Sequence, residues 1–292
     1  MTTEFTSVPV GFVGLGNMGA PIARRLLDWP GGLTVCDVRP EVAEPFVAAG
    51  ARAVADPAEV AKHARIICVT VVDDAQVTEV VAGILSTAAP GTVVAVHSTI
   101  SDRTAQELAD RCAEHEVEFV DAPVSGGAPG ATRGSLAVMV GGSAEAVDRI
   151  RPPFGCFSDL IVHAGSVGAG TRMKLARNLL HFISFTAATE AQRLAEAAGL
   201  SLTALGKVVR HSDAVTGGPG AIMLRDTTAP IDPDDFWFPI LGHVRDLGEK
   251  DLSLALELGD RLAVDLPLAQ LALARLADGL GVAESALDKE TS

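Results

Sequence analysis

Residues Val8–Asp37, VPVGFVGLGNMGAPIARRLLDWPGGLTVCD, carry the pattern from which the fold of this chain can be inferred. The apolar residues 8–13 predict a short buried strand, and a glycine-rich turn, Gly14–Gly19, follows that strand directly. A helix is expected over Ala20–Asp28 and a second strand over Leu33–Asp37. Strand, glycine turn, helix and strand within about 30 residues form the βαβ arrangement that is typical of dinucleotide binding.

The glycine turn has the spacing G-x-G-x-x-G, with glycines at Gly14, Gly16 and Gly19. In this motif the first glycine allows a tight turn and the second lets a pyrophosphate approach the backbone, while the third lets helix and strand pack closely. The N-terminus of the following helix offers N–H groups and the positive end of its dipole. The alternative is an ordinary glycine-rich turn, but its place between a strand and a helix favours a dinucleotide.

Asp37 ends the second strand, 23 residues after Gly14. A carboxylate at this position accepts hydrogen bonds from the ribose hydroxyls and repels a 2′-phosphate, which favours NAD over NADP. Arg39 follows two residues later and can accommodate a phosphate, so NADP stays open as the cofactor.

The rest of the chain divides into two parts of different character. Strands and helices alternate as far as residue 165, which predicts an α/β fold with a doubly wound, mostly parallel sheet covered on both faces. After Gly170 no convincing strand is found, and a long helix over residues 171–198 opens an all-α region. We therefore expect a dinucleotide-binding domain over residues 1–165 and an all-helical C-terminal domain over residues 166–292, which binds substrate and forms the dimer contact.

Composition excludes several classes of function. The 292 residues include 23 Lys and Arg against 37 Asp and Glu, so the net charge is −14 and argues against nucleic acid and against an anionic membrane surface. The four cysteines form no C-x-x-C pair and have no histidine at metal-ligand spacing, which predicts reduced thiols, a cytoplasmic location and no metal site. No signal peptide or membrane span is expected.

Two further patterns suggest a catalytic site. Asp121–Gly130, DAPVSGGAPG, follows a predicted strand, and its Ser125 and glycine N–H groups could hold a carboxylate, although an ordinary loop fits equally well. Lys174 and Asn178 lie four residues apart on the long helix and share one face. A lysine between apolar neighbours can have a lowered pKa suited to proton transfer; the alternative is a solvated surface lysine.

Four motifs in this order resemble the β-hydroxyacid dehydrogenase family, which contains 3-hydroxyisobutyrate dehydrogenase and is related to 6-phosphogluconate dehydrogenase. They are Gly14–Gly19 (GLGNMG), Asp121–Gly127 (DAPVSGG), Gly168–Asn178 (GAGTRMKLARN) and Leu247–Leu252 (LGEKDL). The likeness covers nearly the whole chain. It implies a Rossmann-type domain followed by helices, and a homodimer or homotetramer.

The resemblance also implies an activity and a set of site residues. The activity is an NAD(P)-dependent interconversion of a short 3-hydroxy acid and its semialdehyde or keto acid, with Lys174 as the catalytic acid/base. The small carboxylate-bearing substrate would be held by Ser125, Gly126, Gly127, Asn178 and Lys250, with Asp251 orienting Lys250. The cofactor would contact Gly14, Leu15, Gly16, Asn17, Met18, Asp37, Val71, Val72, Thr99 and Lys250.

Two other functions are compatible with the same fold. One is a semialdehyde or imine reductase, although imine reductases of this type generally lack the lysine. The other is a non-catalytic NAD-binding sensor, which would have no use for Lys174 and Asn178. The chain departs from the family at Arg177, where many members have Asn, and at His97, where many have an acidic residue nearby. These departures leave the identity of the substrate open.

Overall fold

The computed structural model describes residues 7–223, 225 and 227–282. The chain divides into two compact units, Met1–Arg177 and Asn178–Ser292. The first unit contains a nine-stranded sheet, and the described part of the second unit is helical.

The sheet is mostly parallel and has a Rossmann-type strand order. Its strands are β1 Val10–Val13, β2 Leu33–Cys36, β3 Arg52–Ala53, β4 Ile66–Val69, β5 Val93–Val96, β6 Glu118–Asp121, β7 Val124–Ser125, β8 Leu136–Gly141 and β9 Ser158–Gly165. They lie in the order β3-β2-β1-β4-β5-β6-β8-β7, with β9 paired to β8. The first six strands pair in parallel, whereas β8 runs antiparallel to β6 and β7. Because β1 lies between β2 and β4, the strand order reverses there and opens a crevice at their carboxyl ends.

Eleven α-helices are present among the described residues. They are α1 Gly19–Arg24, α2 Glu44–Ala48, α3 Pro57–His63, α4 Asp74–Leu85, α5 Asp102–Glu114, α6 Gly127–Arg133, α7 Ala144–Phe154, α8 Ala169–Ala197, α9 Leu202–Thr216, α10 Trp237–Leu262 and α11 Pro267–Leu280. Several begin at a side chain that accepts a first-turn N–H, as the sequence pattern favours; these caps are Asp56, Asp73, Ser101, Ser143 and Ser201.

The core of the first unit lies on both faces of the sheet. Along β1, Val10 and Phe12 belong to one cluster and Val13 to the other, since successive strand residues point to opposite faces. The first cluster packs α1 and α7 against the sheet, and the second packs α3, α4 and α5. Burial on two faces explains why the strands are continuous apolar runs.

The predicted fold class is confirmed, with local differences. Residues 127–133 form α6, where the sequence suggested a Pro/Gly loop. The helix expected over Ala20–Asp28 ends at Arg24, because the N–H groups of Arg25 and Leu26 bond carbonyls three residues back instead of four. The expected domain boundary near residue 165 stays a prediction.

Candidate active site

In the glycine turn after β1, two of the three glycines are required because a side chain would not fit there, and the third is not. Gly14 has φ +94°, and a Cβ there would overlap the carbonyl oxygen of Thr70, while a Cβ on Gly19 would overlap the carbonyl oxygen of Gly14. A Cβ on Gly16 would meet no protein atom within 4 Å. Packing within the protein therefore does not require a glycine at position 16. A glycine there suits the close approach of a ligand to the backbone.

A cavity of about 740 Å³ lies beside this turn, at the carboxyl ends of β1, β2 and β4. This is the crevice where open α/β sheets bind dinucleotides. The predicted cofactor residues that line it are Gly14, Gly16, Asp37, Val71 and Val72. The cavity and the bare backbone at Gly16 together fit a nicotinamide dinucleotide.

Asp37 braces the glycine turn from the end of β2. Its Oδ2 accepts the N–H of Leu15 at 2.6 Å, and its Oδ1 accepts the N–H and the Nε–H of Arg39 at 3.0 and 3.3 Å. Burial raises the pKa of this carboxyl, but the hydrogen bonds from Leu15 and Arg39 outweigh it and leave the pKa below its usual value. The cavity wall therefore carries a negative charge where a ribose is expected.

The other predicted cofactor residues have different environments. Leu15 is buried and Met18 packs against the same cluster, so their side chains serve the core. Asn17 is exposed, as is Thr99 just beyond β5. Val71 is fixed by Ser98, whose Oγ accepts the Val71 N–H at 2.9 Å and donates to the Val71 carbonyl at 2.8 Å.

Lys174 lies in the second turn of α8 and is only 9% exposed. Its Nζ donates a hydrogen bond to the carbonyl oxygen of Val124 at 2.6 Å, which places the amine beside Ser125 on β7. Burial lowers the pKa of Lys174, and the positive charge of Arg177 lowers it further. This is a buried amine with a reduced proton affinity, and not the solvated lysine of the alternative interpretation.

The glycine pair after Ser125 turns the chain in conformations that favour glycine. Gly126 has φ +130° and Gly127 has φ +64°, and both are exposed. The structure thus brings the Ser125–Gly127 segment and Lys174 together, although 49 residues separate Ser125 from Lys174 in the sequence.

Asn178 and Lys250 belong to the second unit, so their predicted place beside Lys174 stays a prediction. Asn178 follows Lys174 by four residues on α8. Lys250 is exposed on α10, and its Nζ lies 3.2 Å from Oδ1 of Asp251. The orienting role expected of that aspartate stays a prediction.

Sequence reasoning assigned no role to Asp121, the last residue of β6. Its carboxylate is fully buried and accepts the N–H of Gly168 at 2.7 Å and that of Thr171 at 2.6 Å. Burial raises the pKa of Asp121, and the N–H donors only partly oppose this. The available signal was an acidic residue directly after the apolar pair Phe119 and Val120, at the end of the strand.

His97, the residue that follows β5, is buried in the core of the first unit. It is buried against the rings of Phe12, Phe154 and Phe157, and its Nδ1 lies 2.8 Å from the carbonyl oxygen of Ala122. Burial lowers the pKa of His97 to about 4, so the ring is neutral near pH 7 and donates from Nδ1. This environment is that of a core residue, so we assign His97 a structural role.

Fold, glycine turn and cavity define an NAD-binding protein with a helical C-terminal region, and family models agree. A model described as the NAD binding domain of 6-phosphogluconate dehydrogenase matches residues 9–165. A second model, described as NAD-binding of NADP-dependent 3-hydroxyisobutyrate dehydrogenase, matches residues 168–291. The chain belongs to the β-hydroxyacid dehydrogenase family.

Individual relatives cover almost the full chain. An uncharacterized oxidoreductase of Mycobacterium tuberculosis is 61% identical over 285 residues, 97% of this chain and 96% of the relative. The NAD-dependent L-serine dehydrogenase of Pseudomonas aeruginosa is 34% identical over 274 residues, 90% of this chain and 89% of the relative. A crystal structure of a Mycobacterium avium protein described as an oxidoreductase is 57% identical, with a TM-score of 0.92, and covers 95% of this chain and 100% of that one.

Within the described residues, no helix has both the length and the apolar character that crossing a bilayer requires.

Proposed function

We propose that this protein is an NAD(P)-dependent oxidoreductase that interconverts a short 3-hydroxy acid and its semialdehyde or keto acid. The observation that carries the proposal is the environment of Lys174. Its amine is buried, bonded to the Val124 carbonyl 2.6 Å away, and adjacent to the Ser125–Gly127 segment. A buried amine of lowered pKa beside a polar, glycine-rich segment is suited to acid/base work on a small hydroxylated substrate.

The cofactor would be held by the cavity beside the glycine turn. Gly14, Gly16 and the N–H groups that open α1 face its phosphates in this proposal, and Asp37 binds the adenosine ribose. When bound, the nicotinamide accepts a hydride from the carbinol carbon, or returns it in the reverse direction. NAD is favoured because Asp37 is charged, while Arg39 beside it keeps NADP as an option.

Lys174 moves the proton. In oxidation, neutral Nζ accepts the hydroxyl proton as the carbonyl forms, and in reduction protonated Nζ donates it to the carbonyl oxygen. Burial and the charge of Arg177 both disfavour protonated Lys174, so a larger fraction of the amine is neutral at a given pH than for an exposed lysine.

The Ser125–Gly127 segment would orient the substrate. Its serine hydroxyl and exposed glycine N–H groups suit a carboxylate, and fixing that group aims the carbinol carbon. Asn178 and Lys250 complete the proposed substrate contacts on the strength of the family resemblance.

The proposal is tested by following absorbance at 340 nm with NAD⁺ or NADP⁺ over a panel of short 3-hydroxy acids, semialdehydes and cyclic imines. Lys174→Ala should lower kcat by about 10²–10⁴-fold and leave NAD⁺ binding unchanged. Lys62→Ala, an exposed lysine on α3 paired with Glu59, is the control and should keep full activity.

Normal turnover by Lys174→Ala would overturn the assignment of Lys174. Tight NAD⁺ binding without turnover of any compound would favour the sensor, and turnover of imines alone would favour an imine reductase.

A homodimer or homotetramer is part of the proposal, with a second copy of this chain covering the second unit. Among the described residues of that unit, one cluster of four buried apolar residues is found, and α9 buries none of its residues. By contrast, Leu179, Phe182 and Phe185 on α8 are each more than half exposed. A helical unit with so small a core needs further apolar burial, and an isologous contact between two copies supplies it.

A further inference from the structure

Asp121 is a buried acidic residue that the proposed chemistry does not use. Both of its oxygens accept N–H groups from the start of α8, those of Gly168 and Thr171. N–H groups in the first turn of a helix have no partner within the helix, and a carboxylate there is favourable. Asp121 therefore fastens the beginning of α8 to the end of β6.

The same short segment of chain holds α8 at a second point. Asp121 bonds the N–H of Thr171, and three residues further along each of the two stretches of chain the Val124 carbonyl accepts a hydrogen bond from Lys174 Nζ. One turn of α8 is thus tied at both ends to the segment that continues into Ser125. A shift of the helix along or away from this segment must break one of these bonds.

Glycines let the helix and the sheet approach at backbone distance. A Cβ on Gly170 would lie 2.6 Å from the carbonyl oxygen of Asp121, and a Cβ on Gly141 would lie 2.9 Å from the Gly170 nitrogen. No side chain fits between α8 and the sheet here, so the place of Lys174 is set by direct contact.

We propose that Asp121 is a positioning residue, which acts through the first turn of α8 to set the location of Lys174 Nζ beside Ser125. Asp121 acts on Lys174 only through the backbone of α8, since it is fully buried and both of its oxygens accept backbone N–H groups. The inference rests on the proposed role of Lys174 as the acid/base.

The matched control is a carboxylate that caps a different helix. Asp74 Oδ2 accepts the N–H of Ser101 at 3.0 Å and the hydroxyl of Thr104 at 2.6 Å, at the start of α5. Asp74→Asn should therefore cost thermal stability, as Asp121→Asn does, without moving Lys174. If Asp121 served stability alone, Asp121→Asn and Asp74→Asn would have the same acetylation midpoint for Lys174 and the same kcat.

The deciding measurement is the pH midpoint of Lys174 acetylation, read by mass spectrometry on the full chain without substrate. Arg177 on α8 is the charged group that lowers the pKa of Lys174, while Arg172 on the same helix pairs with Asp102. The acidic residues of β6 are Glu118 and Asp121, and β7 offers the neutral Val124 carbonyl. In Asp121→Asn a loosened α8 lets water reach Nζ, so the midpoint should rise. If Asp121 acted on Lys174 by its charge alone, its removal would lower the midpoint.

Kinetics complete the test. Asp121→Asn should lower kcat about 10- to 100-fold, with NAD⁺ binding unchanged, since a small misplacement of a catalytic group has an effect of this size. Gly170→Ala keeps the carboxylate but pushes α8 from the sheet, and it should produce the same rise in midpoint and the same fall in kcat. If Asp121→Asn does not fold, the midpoint and kcat of Gly170→Ala test the positioning role in its place.

A midpoint in Asp121→Asn that is unchanged, or that falls, overturns the inference. So does a kcat equal to that of Asp74→Asn. The acetylation midpoint needs no turnover, and so failure of the proposed function, seen as full activity in Lys174→Ala, is distinguishable from failure of the positioning role.

Discussion

Asp37 Oδ2 accepts the N–H of Leu15 at 2.6 Å, so the end of β2 directly supports the glycine turn that follows β1. The bond spans 22 residues and joins the two strands next to the cofactor cavity. One carboxylate therefore has two functions, holding the turn and forming the cavity wall.

Asp37→Ser should weaken NAD⁺ binding about tenfold and reduce the difference in affinity between NAD⁺ and NADP⁺. The variant loses a charge-assisted bond to the turn together with the charge that repels a 2′-phosphate. Titration calorimetry with both cofactors measures this, with the exposed Asp28→Ser as control. An unchanged ratio of the two dissociation constants would contradict the assigned role.

Gly16→Ala and Gly19→Ala should separate cofactor binding from folding. A methyl group on Gly16 meets no protein atom within 4 Å, so its thermal midpoint should match the wild type while NAD⁺ affinity falls. A methyl group on Gly19 overlaps the Gly14 carbonyl and should destabilise the fold. Thermal unfolding with and without NAD⁺ tests both, and equal affinity in Gly16→Ala would refute the close approach.

Arg177→Gln should move the pH dependence of oxidation upward. Oxidation needs neutral Lys174, so kcat/KM rises with pH through the pKa of that lysine. The positive charge of Arg177 helps to hold this pKa below its usual value, and its removal should raise the pKa and shift the rising limb to higher pH. Arg172→Gln, which changes an exposed arginine paired with Asp102, should leave the limb in place.

His97 should make the protein sensitive to mild acid. An unfolded histidine takes up a proton near pH 6.5, whereas burial holds the pKa of folded His97 at about 4. The unfolded state therefore binds more protons between these values, and stability falls as pH decreases from about 6.5 to 4 by about 3 kcal/mol. Urea unfolding at several pH values should show a smaller loss of stability in His97→Gln, which keeps a donor for the Ala122 carbonyl. An equal dependence of the unfolding free energy on pH in the wild type and the variant would contradict this prediction.

Replacing the exposed apolar residues of α8 should separate the subunits. Leu179→Lys combined with Phe182→Lys puts two charges on the face proposed to contact a second copy, and sedimentation should then report a monomer. Leu160→Lys on β9 replaces a comparably exposed leucine in the first unit and should leave the oligomer intact. A wild-type monomer at micromolar concentration would end the proposal.

Much of the first unit was predictable because its signals are local. Four-residue apolar runs such as Ile66–Val69 and Val93–Val96 are buried on both faces, which makes each run readable without its neighbours. The glycine turn at Gly14–Gly19 was equally clear. The strand β3 escaped prediction because it has only two residues, and the helix α6 did so because its sequence, GAPGATR, contains the Gly and Pro residues that usually mark a loop.

The long helix α8 shows the limit of such patterns. The helix itself was predicted over residues 171–198, yet within this chain its apolar residues Leu179, Phe182 and Phe185 remain exposed. Periodicity indicates that a face is apolar, but it does not state which surface covers that face.

The order of elements, the dinucleotide turn and the place of Lys174 on a helix can all be inferred from the amino-acid sequence, because each depends on a few adjacent residues. The surroundings of that lysine depend on residues that are distant in the sequence. The contacts of Asp121 with Gly168 and Thr171, and of Val124 with Lys174, each cross 47 to 50 residues of sequence. Burial is the larger cause of the lowered pKa of Lys174, and that burial exists only once β6, β7 and α8 have come together.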